Sequence, residues 1–142
     1  MSLMFGKRPV KFVPKLWGYE KWLDNNDKYC GKLLFFSKGR TCSIHYHLVK
    51  QETFYLHSGR MEVRFYDNAK ELEEYVRLYG NRGLDDKLEK EILEQGDTFF
   101  VPAGRVHSMR GLEDCELFEF STHHDDEDSY RILDSRELNK EK

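Results

Sequence analysis

The run from Gly39 to Gly59, GRTCSIHYHLVKQETFYLHSG, constrains this chain more than any other segment. His45 and His47 stand two positions apart, so on an extended strand both side chains leave the same face. Glu52 follows five positions after His47. A second run, Gly96 to Gly111, GDTFFVPAGRVHSMRG, adds His107 behind Gly96, Pro102 and Gly104. Sharp connections between strands need positive φ, which glycine takes at little cost, so both runs read as short strands joined by tight turns. A His-x-His pair by itself is more often two ordinary polar residues. With a carboxylate and a third imidazole brought to the same face, however, His45, His47, Glu52 and His107 make a donor set for one divalent transition metal: manganese, zinc, iron, cobalt or nickel.

The rest of the chain reads as antiparallel β structure. Pro9 to Leu23 is an extended arm interrupted by prolines and Gly18, with Trp17, Tyr19 and Trp22 supplying apolar area that must pack on something. Two roles suit the arm: covering a sheet face or subunit boundary, or offering Trp17 as a stacking surface for a sugar ring. After the polar turn at Asp24 to Lys28, the run Lys32 to Ser37 is apolar on both faces and so covered on both sides. Ser43, His45 and His47 share one face, with Ile44, Tyr46 and Leu48 on the other. Beyond a Ser58-Gly59 hairpin signal, Met61, Val63 and Phe65 alternate with polar residues. Asn68 to Gly80 has helical period, its stripe formed by Leu72, Tyr75, Val76 and Tyr79, with Asn68 and Gly80 as caps and Glu73 and Arg77 as a side-chain pair. That predicts one short surface helix packed across a barrel end. Strands resume at Glu89 to Leu93, Thr98 to Val101, Val106 to Met109 and Cys115 to Ser121. The acidic tail from Thr122 is expected to dock to about Asp134.

At 142 residues, 39% apolar and 14% aromatic, the chain suits a single domain with one core. A net charge of -3 with interspersed signs offers no basic face, so neither nucleic acid nor membrane is an expected partner. Cys30, Cys42 and Cys115 form no CxxC pair and read as reduced thiols, and no signal-peptide core is evident, so the expected location is cytoplasmic. Strands apolar on both faces, together with the aromatic arm, predict a homodimer.

The spacing of Gly39, His45, His47, Glu52 and Gly59, followed by Gly96, Pro102, Gly104 and His107, resembles the two-part motif of the cupin superfamily. Gly111 stands where that family often has Asn. The resemblance implies an all-β double-stranded β-helix, the cupin jelly roll, over 1–142: arm 1–31, barrel about 32–121, tail 122–142, and one short inserted helix. Across Lys15 to Asp134 the chain also resembles the cupin domain of type II mannose-6-phosphate isomerases and mannose-1-phosphate guanylyltransferases. Trp17-Gly18, KLWGYEKWL, CSIHYHLVKQETF, GDTFFVPAGRVH and the tail residues Glu127, Asp128, Arg131 and Asp134 carry this likeness. His45 replaces the family's usual Gln, Lys50 its Arg, and Thr122-His123-His124 a glycine-containing turn.

The second resemblance implies an aldose–ketose isomerase whose small-molecule substrate is a sugar or sugar phosphate. Isomerisation needs a base to move a proton between adjacent carbons. Glu119 is the candidate, sharing its strand face with Cys115 and Leu117, while Glu116 lies on the other face; either carboxylate is equally at home as a structural or solvated group. Lys38, Arg40, Arg105 and Arg131 are candidate contacts for substrate anions. His57, His123 and His124 fall off the motif spacing and read as surface or hydrogen-bonded histidines, with His123 and His124 alternatively lining the mouth. Two other classes stay open, because fold does not fix function: an iron-dependent cupin dioxygenase, and a non-catalytic sugar-binding or regulatory module.

Overall fold

A computed structural model describes residues 5–140. Two antiparallel sheets face each other. The larger contains, in spatial order, β1 (Lys11–Lys15), β2 (Gly18–Asn25), β3 (Cys30–Phe36), β10 (Cys115–Ser121), β5 (Glu52–Ser58) and β8 (Thr98–Val101). The smaller contains β11 (Tyr130–Leu133), β4 (Ile44–Tyr46), β9 (Val106–Gly111), β6 (Met61–Tyr66) and β7 (Glu89–Leu93). This is the jelly-roll arrangement expected of the sequence.

Period-two alternation decides what lies between the sheets. Along β3 the burial alternates without a break, putting Leu34 and Phe36 inside, and β10 does the same with Cys115, Leu117 and Glu119. Phe36, Phe54, Leu56, Met61, Val63, Met109 and Leu117 form the centre of this core. Trp17 joins it, its ring stacked on Phe36 at 4.1 Å between centroids. The aromatic arm is therefore no separate cover: β1 and β2 form a hairpin that extends the larger sheet past β3. Gly18 is what lets that hairpin close against β3, since a Cβ there would fall 1.8 Å from the Phe35 carbonyl oxygen.

The predicted helix forms as α1, Ala69–Tyr79, with the Asn68 side chain accepting from Glu71 N and Gly80 as the C-terminal cap. Its place differs from a barrel end. Leu72 packs with Ile44 and Val106, which face away from the core on β4 and β9, so α1 covers the outer surface of the smaller sheet. The expected Glu73–Arg77 pair is also replaced: Arg77 reaches Glu74, and Glu73 accepts from the Tyr46 hydroxyl at 2.9 Å. A neighbour in the tertiary structure took the carboxylate that helix spacing alone would pair with Arg77.

Two further short helices were not signalled by periodicity. In the polar loop after α1, α2 (Leu84–Lys87) is pinned by Leu84, which is 3% exposed. Beyond Asp134 the tail continues into α3 (Ser135–Leu138) and stays docked through Asn139, 4% exposed, whose amide oxygen accepts from Thr41 N at 2.9 Å and whose amide nitrogen donates to Thr41 O at 2.7 Å. Cys30, Cys42 and Cys115 are buried free thiols. No helix among the described residues is long and apolar enough to cross a membrane.

Candidate metal centre

Register in the smaller sheet brings the histidines of the two motif halves together. His45 on β4 lies directly opposite His107 on β9, and His47 follows at the end of β4. One ligating nitrogen from each of His45, His47 and His107 lies within 4.8 Å of the others. Each ring is aimed by its other nitrogen. Nδ1 of His45 donates to Ser43 O (2.9 Å), that of His47 to Asp128 O (2.8 Å) and that of His107 to Arg105 O (3.0 Å). A proton fixed on Nδ1 leaves Nε2 with its lone pair, the tautomer a metal ligand needs.

Glu52 approaches two of the three histidines from the facing sheet. Its Oε1 lies 3.7 Å from His47 Nε2, and its Oε2 lies 3.0 Å from His107 Nε2. That last pair is close yet not aligned as a hydrogen bond, and both atoms are buried without a partner among the described residues. At that distance a ring nitrogen and a carboxylate oxygen are reconciled by a positive charge between them, a proton on the imidazole or a metal ion. The three imidazole nitrogens fit a divalent metal, and Glu52 stands beside two of them as a candidate fourth donor. Burial, helped by the neighbouring His107 and His47, pushes the His45 imidazole well below its ordinary pKa. Burial likewise lowers His47 although Glu52 opposes it, so both rings stay neutral. Burial acts against charge at His107 and Glu52 too, but their mutual contact prevails, raising the imidazole and holding the carboxyl well below the usual range.

Beside the cluster lies Lys50, which the family resemblance marks only as a replacement for Arg. Lys50 Nζ touches Glu119 Oε2 at 2.8 Å, Glu52 Oε1 at 3.2 Å and His124 Nδ1 at 2.9 Å. Its three donors thus meet three acceptors on a side chain 2% exposed. Burial disfavours the ammonium, but Glu119 and Glu52 more than offset that and raise its pKa. His124, accepting at Nδ1, donates from Nε2 to Asp126 Oδ1 at 2.9 Å. Lys50 precedes Glu52 by two positions, and that shared strand parity was the sequence signal available for it.

Cluster and lysine form the floor of a cavity of about 830 Å³, within the range of small-molecule sites. Trp17, Glu119 and Arg131 line it, Arg131 lying opposite His45 in register. Trp17 contributes a wall more than a platform, since the ring is 6% exposed and stacked on Phe36. Lys38, Arg40 and Arg105 are not among the lining residues. The turn holding Lys38 and Arg40 bonds to Gly111, at the far end of β9 from His107, roughly 13 Å along the strand. Arg105 sits in the turn before β9, where its carbonyl, not its guanidinium, serves His107. His57 and His123 remain exposed, whereas His124 lines the cavity.

Comparison with known proteins agrees with the architecture. A sequence profile of the Cupin family matches residues 33–140. The capsular polysaccharide assembling protein CapF from Staphylococcus aureus superposes with a TM-score of 0.67 at 18% identity, over 89% of this chain and 35% of that one. KdgF from Halomonas sp. gives 0.57 at 20% identity, covering 77% of this chain and 81% of that one. Oxalate decarboxylase from Bacillus subtilis, a protein with Mn(II) centres, gives 0.66 at 15% identity over 86% and 30%. At such identities the likeness is one of fold, and this chain spans about a third of the length of CapF. No curated protein sequence matches significantly.

Removing one partner of a buried ion pair leaves an uncompensated charge, which costs roughly 3–5 kcal/mol. Lys50→Met, which strands Glu52 and Glu119, should lower the stability of the metal-free protein by about that amount in urea denaturation. Saturating zinc or manganese should restore part of the loss by neutralising Glu52. A loss below about 1 kcal/mol would show that Lys50 is not what compensates these carboxylates.

Proposed function

The chain belongs to the Cupin family, and from that premise we propose that it is a metal-dependent aldose–ketose isomerase acting on a sugar or sugar phosphate, similar to mannose-6-phosphate isomerases. One observation carries the reading: the segments that bear the isomerase likeness, the arm with Leu16 and Trp17 and the tail with Arg131 and Asp134, line the same cavity as the histidine cluster. His45, His47, Glu52 and His107 would hold the ion. When bound, it supplies Lewis-acid polarisation of a substrate carbonyl and its adjacent hydroxyl.

The protein's own groups do the rest. Glu119 is 4% exposed and projects from β10 into the cavity. Its Oε2 is fixed by Lys50 Nζ and by the Ser121 hydroxyl, each at 2.8 Å, so Oε1 remains to take a proton from the carbon bearing the hydroxyl and return it to the carbonyl carbon, while the hydroxyl proton passes to the carbonyl oxygen. Arg131 serves a substrate phosphate or hydroxyls at the β11 wall. Leu34, Phe36 and Phe54 limit water around the reacting carbons.

A homodimer completes the reading. On the outer face of the larger sheet, register aligns Phe12, Leu33, Tyr55 and Phe118 in one row, and Phe120 and Phe100 flank Thr53 in the next. Phe12, Phe100 and Phe120 are each more than half exposed. An aromatic face of that extent suits a second copy related by a two-fold axis.

Two measurements test these assignments. Anaerobic incubation of manganese- or zinc-loaded protein with aldoses, ketoses and their phosphates should give interconversion, and Glu119→Gln should reduce turnover about 10²- to 10⁴-fold with metal content unchanged. Full turnover in that variant removes Glu119 as the base; oxygen consumption with stoichiometric iron and no interconversion favours a dioxygenase, and sugar binding with neither activity favours a sensing module. Light scattering should report twice the 17.0 kDa chain mass, falling to one chain for Phe120→Glu. A single-chain mass for the unaltered protein contradicts the dimer.

A further inference from the structure

The segment Leu48-Val49-Lys50-Gln51 joins two candidate ligands, His47 and Glu52, and only the Lys50 side chain within it is buried. Leu48 and Val49 are 58% and 79% exposed, so no apolar packing fixes their backbone. The tail does so instead. Asp128 Oδ1 accepts from Leu48 N (2.8 Å) and Val49 N (3.2 Å), while Oδ2 accepts from Val49 N (3.2 Å) and Lys50 N (3.0 Å). Gln51 N donates to the Thr122 hydroxyl at 3.2 Å. Four consecutive backbone donors are therefore taken by tail side chains, and the backbone carbonyl of Asp128 also accepts from His47 Nδ1 at 2.8 Å.

We propose that Asp128 is a positioning residue of the metal centre, setting the separation and aim of His47 and Glu52 so that their ligand atoms converge. This rests on the metal reading of the cluster. One residue controls both the ring orientation of a ligand, through its carbonyl, and the path of the chain to the next ligand, through its carboxylate. An anion seated on successive N–H groups is held by several charge-assisted bonds at once, which makes it a stiffer clamp than a single contact. Asn139 anchors the same tail at Thr41, away from the segment joining His47 to Glu52, and so separates tail docking from ligand positioning.

The test measures Zn²⁺ and Mn²⁺ affinity by competition with a chromophoric chelator, alongside thermal unfolding of the metal-free protein. Partners of metal ligands typically alter affinity about 10- to 100-fold, and Asp128→Ala should weaken both metals by that factor. Asp128→Asn, which keeps one acceptor oxygen, should fall between that variant and the unaltered protein. Asn139→Ala should lower the unfolding temperature while leaving affinity within about twofold. Asp128→Ala within about twofold of the unaltered protein, or Asn139→Ala losing as much affinity as Asp128→Ala, overturns the proposal. If Asp128→Ala does not fold, Asp128→Asn decides on the same criterion. Absence of Zn²⁺ and Mn²⁺ binding by the unaltered protein would defeat the metal reading and this inference together, and is seen before any variant is made.

Discussion

A carboxylate buried between imidazoles is the constraint to which the rest of this molecule answers. Glu52 is 3% exposed, and an isolated ionised carboxylate in such a place carries a heavy desolvation cost. Lys50 compensates it from one side at 3.2 Å. On the other side lie His47 and His107, and the orphaned His107 Nε2 and Glu52 Oε2 mark where compensation by a cation is wanted. The same ammonium reaches Glu119, so the candidate base and the candidate ligand share one counter-charge.

Holding such a cluster requires rigid supports on both sides. Glu52 and Glu119 come from neighbouring strands of the larger sheet, while His45 and His107 are paired across the smaller one. The cluster therefore depends on how the two sheets face each other, which the core of Phe36, Phe54, Met61 and Leu117 maintains. Each imidazole is then trimmed by a backbone carbonyl, two from near neighbours in sequence and one from the tail at Asp128. The tail thus reaches the site at Asp128 and is anchored separately, farther on, by Asn139 at Thr41.

What was legible in the sequence was whatever strand and helix periods determine. The shared face of His45 and His47, that of Glu119 with Cys115 and Leu117, and the caps of α1 all follow from spacing of two or about 3.6 residues, whereas which face of β10 is inward does not. Contacts between segments distant in the chain were not legible. His124 on Lys50, Asp128 on the segment after His47 and Tyr46 on Glu73 join residues 74, 80 and 27 positions apart, and no local pattern encodes them. The same limit explains Lys38, Arg40 and Arg105, which adjoin the motif in sequence yet sit outside the cavity because a turn or a strand's length separates them from the histidines. Trp17 was legible as apolar area needing cover, but whether core or ligand covers it depended on Phe36.

The central claim is that three imidazoles and one carboxylate converge on one metal ion. Anomalous diffraction from crystals grown with manganese or zinc tests it most directly. The account predicts a single strong anomalous peak bonded to Nε2 of His45, His47 and His107 and to a Glu52 oxygen, at about 2.0–2.2 Å for zinc. Absence of a peak at that position in metal-saturated crystals, or a peak whose ligands omit Glu52, would contradict it.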